Sequence, residues 1–216
     1  MTDLLAGTPQ QEKLPFAGVR IAGARIKRDV IFEDTKFIRP IQICNSWIEG
    51  SFNLDHAQTD GKISLNWSVI TGDFVAEGLH AESDLYLTGA AFRGDVILSY
   101  AKIKGHINMA AASVAGWLNA GMLQVGGDLL MQNKARFNDV SLRHANIKGQ
   151  MSMFGASFGN VDADTVQIGD LLLMHNASFK NVVLLNAKIE RGIIMEGFRR
   201  RARSQLASGR WRSEHA

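Results

Sequence analysis

Residues 90–111 read Ala90-Ala91-Phe92-Arg93-Gly94-Asp95-Val96-Ile97-Leu98-Ser99-Tyr100 and then Ala101-Lys102-Ile103-Lys104-Gly105-His106-Ile107-Asn108-Met109-Ala110-Ala111. The two halves repeat one template: small, any, apolar, any, Gly, any, apolar, any, apolar, any, any. Outward from this stretch, small residues, often Ala, recur every 11 residues at 24, 35, 46, 57, 68, 79, 90, 101, 112 and 123, with Thr35, Leu79 and Leu123 varying the type. Two residues later stands Ile26, Phe37, Ile48, Ile70, Phe92, Ile103, Val114 or Val125, with Thr59 and Ala81 as the weak members. The next marker is Gly50, Gly61, Gly72, Gly94, Gly105, Gly116 or Gly127. Inward residues two apart mean short extended segments, because side chains alternate faces along a strand. Each template holds two such segments separated by corners, so two templates close a four-sided coil of 22 residues. Coils stacked at the inter-strand spacing of roughly 4.8 Å give about eight turns and a rod on the order of 40 Å long.

The C-terminal half tests the coil. Unit starts move to 135, 145, 156, 166, 177 and 187, so coils shorten from 22 to 21 residues. The short units carry Asp139, Asn160 and Asn181 where the others have Gly. Asn and Asp tolerate positive φ, which predicts tight positive-φ corners there. Alternate units give chemically uniform columns. One reads Ile26, Ile48, Ile70, Phe92, Val114, Phe137, Phe158, Phe179, and the opposite one Phe37, Thr59, Ala81, Ile103, Val125, Ile147, Ile168, Ile189. A third ends in Met109, Met131, Met153, Met174 and Met195. An 11-residue coil would mix these columns.

Pairs such as Ala156-Ser157-Phe158, at spacings near five and with stacked Phe, resemble the pentapeptide-repeat proteins. The resemblance covers about Val19 to Met195 and implies a right-handed quadrilateral β-helix. The longer units, such as Gly89 to Leu98, resemble bacterial pentapeptide-like proteins often labelled membrane-associated oxidoreductases. A left-handed hexapeptide helix would need an 18-residue coil, which does not fit. The expected fold is thus an all-β, right-handed, four-sided parallel β-solenoid of about eight coils. Residues 1–13 are expected as a tail or cap, 14–197 as the solenoid, and 198–216 as a basic C-terminal helix or tail.

Composition narrows the function classes. The chain has 216 residues, 46% apolar and 21% charged, with 21 Gly and 3 Pro, so it reads as globular with many turns that need φ > 0. Cys44 is the only cysteine, which excludes an internal disulfide and fits a reducing, cytoplasmic setting. Residues 1–13 lack a basic region followed by an apolar run, and no stretch has 18 consecutive apolar residues. From Gly197 onward stand six Arg and one Glu, whereas residues 1–196 hold 18 basic and 20 acidic groups. The body is near neutral and the tail is basic. Some pentapeptide-repeat proteins imitate duplex DNA to inhibit type II topoisomerases, but that needs a strongly acidic rod.

No catalytic constellation emerges, and no cofactor, metal or small-molecule substrate is expected. Gly126-Gly127 sits at a repeat corner and is no dinucleotide motif. Cys44 and His56 fall on different sides of the coil, which argues against a nucleophile and base. His80 and His144 fall in neighbouring columns about three coils apart, roughly 14 Å, and His106 and His175 in other columns, so the histidines do not cluster, and the Met column reads as core rather than as a soft-metal site. No insertion longer than one residue breaks the register, so no loop is available to build a pocket. Glu33, Asp55 and Glu77 share one outward column, and Asp73 and Asp95 another; each is a solvated face or a stripe for a basic partner or a cation.

Protein binding by a non-catalytic scaffold is the expectation that remains. Trp47 and Val69 are expected outward in one column, Trp67 at the corner before Val69, and Val75 with Ile97 on the adjoining side. Together they form an apolar patch that either docks a protein or is covered by the N-terminal segment with Leu4, Leu5 and Leu14. A second set, Leu130, Leu173 and Ile194, could serve a homodimer. Phe198 to Ala207 reads as a short helix with Phe198 and Leu206 packed over the last coil. Its Arg199, Arg200, Arg201 and Arg203 either cap the open end or contact a polyanion, nucleic acid or an anionic membrane surface.

Overall fold

The computed structural model describes residues 18–197 and the backbone of Arg199–Arg200. The boundary expected at residue 14 and the segments around Leu4, Leu5 and Leu14 lie outside these residues. Over the described chain the protein is an all-β parallel solenoid. One coil runs through Ala91–Phe92, Val96–Ile97, Lys102–Ile103 and Ile107–Asn108, four strands of two residues each. Each strand pairs in parallel with the strand 22 residues away, as Ala91 with Ser113 and Ile103 with Val125. The third side stacks eight strands from Lys36–Phe37 to Lys188–Ile189, which sets the number of coils at eight. The fourth side stacks nine, from Val19–Ala22 to Gly192–Ile194. Such short strands hold only because every coil lends its hydrogen bonds to the next.

The inner columns stand as the sequence orders them. Ile26, Ile48, Ile70, Phe92, Val114, Phe137, Phe158 and Phe179 are register partners in succession. The column from Phe37 to Ile189 is likewise continuous. Phe158 stacks on Phe137 at 5.3 Å between ring centroids and on Phe179 at 5.0 Å, with interplanar angles of 11° and 6°. Met109, Met131, Met153 and Met174 are buried, and Met195 is partly so at the last coil. A second aromatic run, Phe32, Phe52, Phe74 and Phe92, fills the N-terminal half at centroid spacings of 5.5–5.9 Å.

The corners depart from the expectation. Glycines at the fifth template position, such as Gly72, Gly94, Gly105 and Gly116, do not have positive φ. They are needed for close approach between coils: a Cβ on Gly94 would collide with Asp73 Oδ1 and lie 2.7 Å from the Gly72 carbonyl oxygen. The positive-φ residues form two columns at the last template position instead. One is Asp34, His56, Gly78, Tyr100, Met122, His144, Thr165 and Asn186. The other is Gly23, Asn45, Trp67, Gly89, Ala111, Asn133, Gly155, Asn176 and Gly197. Most are the third residue of a tight turn, as where Ala57 N–H donates to the Leu54 carbonyl across His56.

The change of coil length has a local cause. Lys134 is an extra residue beside Asn133, and both have positive φ, at 67° and 58°. Thereafter the corner between the first two sides loses one residue, so Phe158 leads to Val161 where Ile70 leads to Phe74. Asp139, Asn160 and Asn181 do not adopt positive φ. Asn160 and Asn181 instead lie inside continuous strands, Ser157–Asp162 and Ser178–Val183, that carry the chain through the shortened corner. At Arg199–Arg200 the backbone is a strand paired with Ser178–Phe179, not the first turn of the expected helix. Phe198, Arg201, Arg203 and Leu206 lie outside the described residues.

Candidate docking surface

The residues after the corner glycines form a ladder. Asp73 Oδ1 accepts the backbone N–H of Asp95 at 2.8 Å, and Asp95 Oδ1 accepts that of Trp117 at 2.8 Å. On the opposite corner Asp84 Oδ1 accepts the N–H of His106 at 2.8 Å, and His106 Nδ1 accepts that of Asp128 at 2.8 Å. The stacked carboxylates thus bind backbone donors that the strands leave unpaired, which offsets their mutual repulsion. Around this second ladder, Tyr86 donates its hydroxyl to Asp84 Oδ2 at 2.7 Å. Burial pushes the Asp84 carboxyl up, but the His106 N–H, the Tyr86 hydroxyl and the nearby cations outweigh it and hold the pKa below its usual value. The same hydrogen bond raises the Tyr86 phenol. Lys104 chiefly, with His80, holds the Glu82 carboxyl low on the neighbouring side.

The other titratable groups stay dispersed. Cys44 Sγ lies 3.4 Å from Ser64 Oγ at the end of the fourth side, while His56 turns the corner between the second and third sides beside Asp55. His144 contacts Thr165, and His175 stacks on Phe154 at 4.3 Å. Among the described residues no three His, Cys, Asp or Glu side chains are placed to hold a metal ion. Glu33 accepts a hydrogen bond from Asn53 at 3.3 Å.

The apolar residues expected at an interface occupy two columns. Trp47, Val69 and Ala91 are successive register partners on the first side, all half-buried. Val75 and Ile97 are partners on the second side, also half-buried, with Asn53 and Asn119 before and after them. The corner of Gly72, Asp73, Gly94 and Asp95 stands between the two columns, so the surface is apolar on both flanks of a carboxylate edge. The Arg93 guanidinium lies over the Trp47 ring at 4.8 Å from its centroid. Trp67 is 58% exposed. Its φ is +59°, and its indole lies against Gly89, where an added Cβ would meet the ring. The dimer candidates Leu130, Leu173 and Ile194 share one column of the fourth side. Ser152 interrupts that column, buried and donating to Gln132 Oε1 at 2.7 Å.

Other exposed apolar groups escaped the reading of the sequence. Tyr100 and Met122 are 56% and 44% exposed in successive coils of one positive-φ column, and Trp117 projects from the first ladder. The signal was a bulky side chain at a position that is otherwise mostly Asp, His, Gly or Asn. Comparison with known proteins gives no match: no family model, no curated protein and no solved structure is similar to this chain at a significant level.

Proposed function

We propose that this solenoid is a non-catalytic binding protein that docks another protein on its first two sides around Trp67. The observation that carries the reading is the cost of placing Trp67. A non-glycine residue at positive φ costs about 1–2 kcal/mol, and neighbouring coils meet the same corner with Asn or Gly. Over half of the indole faces solvent, so its core contacts do not offset that cost. Trp is the side chain most enriched among residues that dominate protein interfaces. Trp47, Val69, Val75 and Ile97 supply the surrounding apolar surface, and Arg93, Asp73 and Asp95 supply polar contacts at its margins. The alternation of small and apolar columns with stacked Phe supports a pentapeptide-repeat-like ancestry, which the right-handed coil of that family would accompany.

The test is paired. Trp67→Asn and the double change Trp47→Asp with Val69→Asp are compared with the parent chain as baits in a lysate of the source cells. A partner retained by the parent and lost from both variants, with circular dichroism unchanged, supports the reading. Identical captured proteins from all three baits refute it.

A further inference from the structure

The first coil differs in charge from the rest of the rod. Residues 18–40 contain six cations, Arg20, Arg25, Lys27, Arg28, Lys36 and Arg39, against Asp29, Glu33 and Asp34. Residues 41–197 contain 11 basic and 15 acidic groups, the opposite balance. Along the rest of the rod Lys104 pairs with Glu82, Arg143 with Asp162 and Asp164, and Arg191 with Asp170. Among the described residues of the first coil only Arg25 has an ion pair, with Glu49. Two of its three acids are engaged: Asp29 Oδ1 accepts the Ser51 N–H at 2.7 Å and Glu33 accepts from Asn53. All six cations are exposed except Arg39, which is half-buried.

Their placement is circumferential. Arg20 projects from Val19–Ala22, Arg25 from the first side, Lys27 and Arg28 from the next corner, Lys36 from the third side and Arg39 from the corner beyond. Among the described residues, these strands pair on one edge only, with Ile41–Cys44, Trp47–Ile48 and Gln58–Thr59. Among the described residues the end of the rod therefore carries a cationic rim, inside which Val19, Ile21 and Ile26 are half-buried and Val30, Phe32 and Phe37 are buried.

We infer that this end docks on an anionic lipid surface. A nucleic-acid duplex offers a line of phosphates and suits cations running along one face of a rod. Cations distributed around an end meet a plane of anionic headgroups together.

The experiment is co-sedimentation of the full chain with vesicles of phosphatidylcholine alone or mixed with phosphatidylserine. Binding is expected only to the mixed vesicles and is lost in high salt. Each neutralised cation lowers partitioning about fivefold, so Arg20→Gln, Lys27→Gln, Arg28→Gln and Lys36→Gln together lower it on the order of several hundredfold at low salt. The same factor is expected in a chain whose Arg199, Arg200, Arg201 and Arg203 are already Gln, which separates the rim from the tail. Parent-like vesicle binding by the first-coil variant overturns the inference. So does a rim that binds duplex DNA more tightly than vesicles in the same buffer. A parent chain that ignores vesicles, with a first-coil variant that assembles end to end in light scattering, also overturns it, because the rim then guards an open strand edge.

Discussion

Replacing Phe158 by Ala probes the stacked column where it is most regular. Its ring is buried and flanked by Phe137 at 5.3 Å and Phe179 at 5.0 Å, nearly parallel to both. Truncating a core Phe costs about 3–5 kcal/mol, and each aromatic pair adds about 0.5–1.5 kcal/mol beyond its buried area. The loss of both pairs places the expected effect near the upper half, at about 4 kcal/mol. With a urea m-value of about 2–3 kcal/mol/M, the midpoint followed by circular dichroism falls by roughly 1.3–2 M. A double-mutant cycle sharpens the test. Phe158→Leu and Phe179→Leu are expected to couple by about 0.5–1.5 kcal/mol, whereas Phe137→Leu and Phe179→Leu, two coils apart, add within about 0.5 kcal/mol. A loss below about 1 kcal/mol for Phe158→Ala, or coupling no larger for neighbours than for the distant pair, refutes the stacked core.

The corner chemistry makes three further expectations. Gly94→Ala forces its Cβ onto Asp73 Oδ1 and the Gly72 carbonyl, and urea midpoints should report a loss of about 1–3 kcal/mol although φ is permissive. Tyr100→Gly releases a bulky residue from positive φ, and the same assay should show a gain of about 1 kcal/mol or no change; a clear loss would mean that the exposed ring packs on the coil. Asp84 is held below its ordinary value of 3.8, so its contribution to stability is complete above that pH and lost as pH falls from there through the lower folded value. Asp84→Asn should therefore flatten the acid side of a plot of urea midpoint against pH, and an unchanged slope would count against the ladder.

The coil was legible in the sequence because burial acts on it with a fixed period. Two residues inward per side and two units per turn leave uniform columns such as Phe137, Phe158 and Phe179, which no other coil length reproduces. The corners were less legible because Gly has two uses. Gly94 and Gly105 are small so that the coils can touch, while Gly78 and Gly89 have φ near +60°. Only neighbouring coils tell these apart. Asn160 and Asn181 were read as turns by their type, yet a corner one residue shorter draws the chain straight. The residues proposed for docking were found as columns, but their separation by Asp73 and Asp95 was not. Those carboxylates read as repelling charges until their backbone donors are seen.

Strain separates what the rod needs from what it carries. A corner that recurs in every coil at positive φ selects residues that tolerate it, and Asp34, Asn45, His56, Asn176 and Asn186 do. Folding alone gives no reason for Trp67, Tyr100 or Met122 to stand there. All three are more than two-fifths exposed, so burial does not offset their backbone cost. They also fall in the middle coils, Trp67 on one corner and Tyr100 with Met122 on the other, whereas most positions nearer the two ends keep Asn, Asp, His or Gly. A burial requirement would place bulky groups inward, and a solubility requirement would place polar groups outward. Outward bulk on strained backbone satisfies neither, and a contact with a second molecule would account for it, which is why the proposed docking surface is centred on the corner residue Trp67 between apolar columns of the adjoining sides.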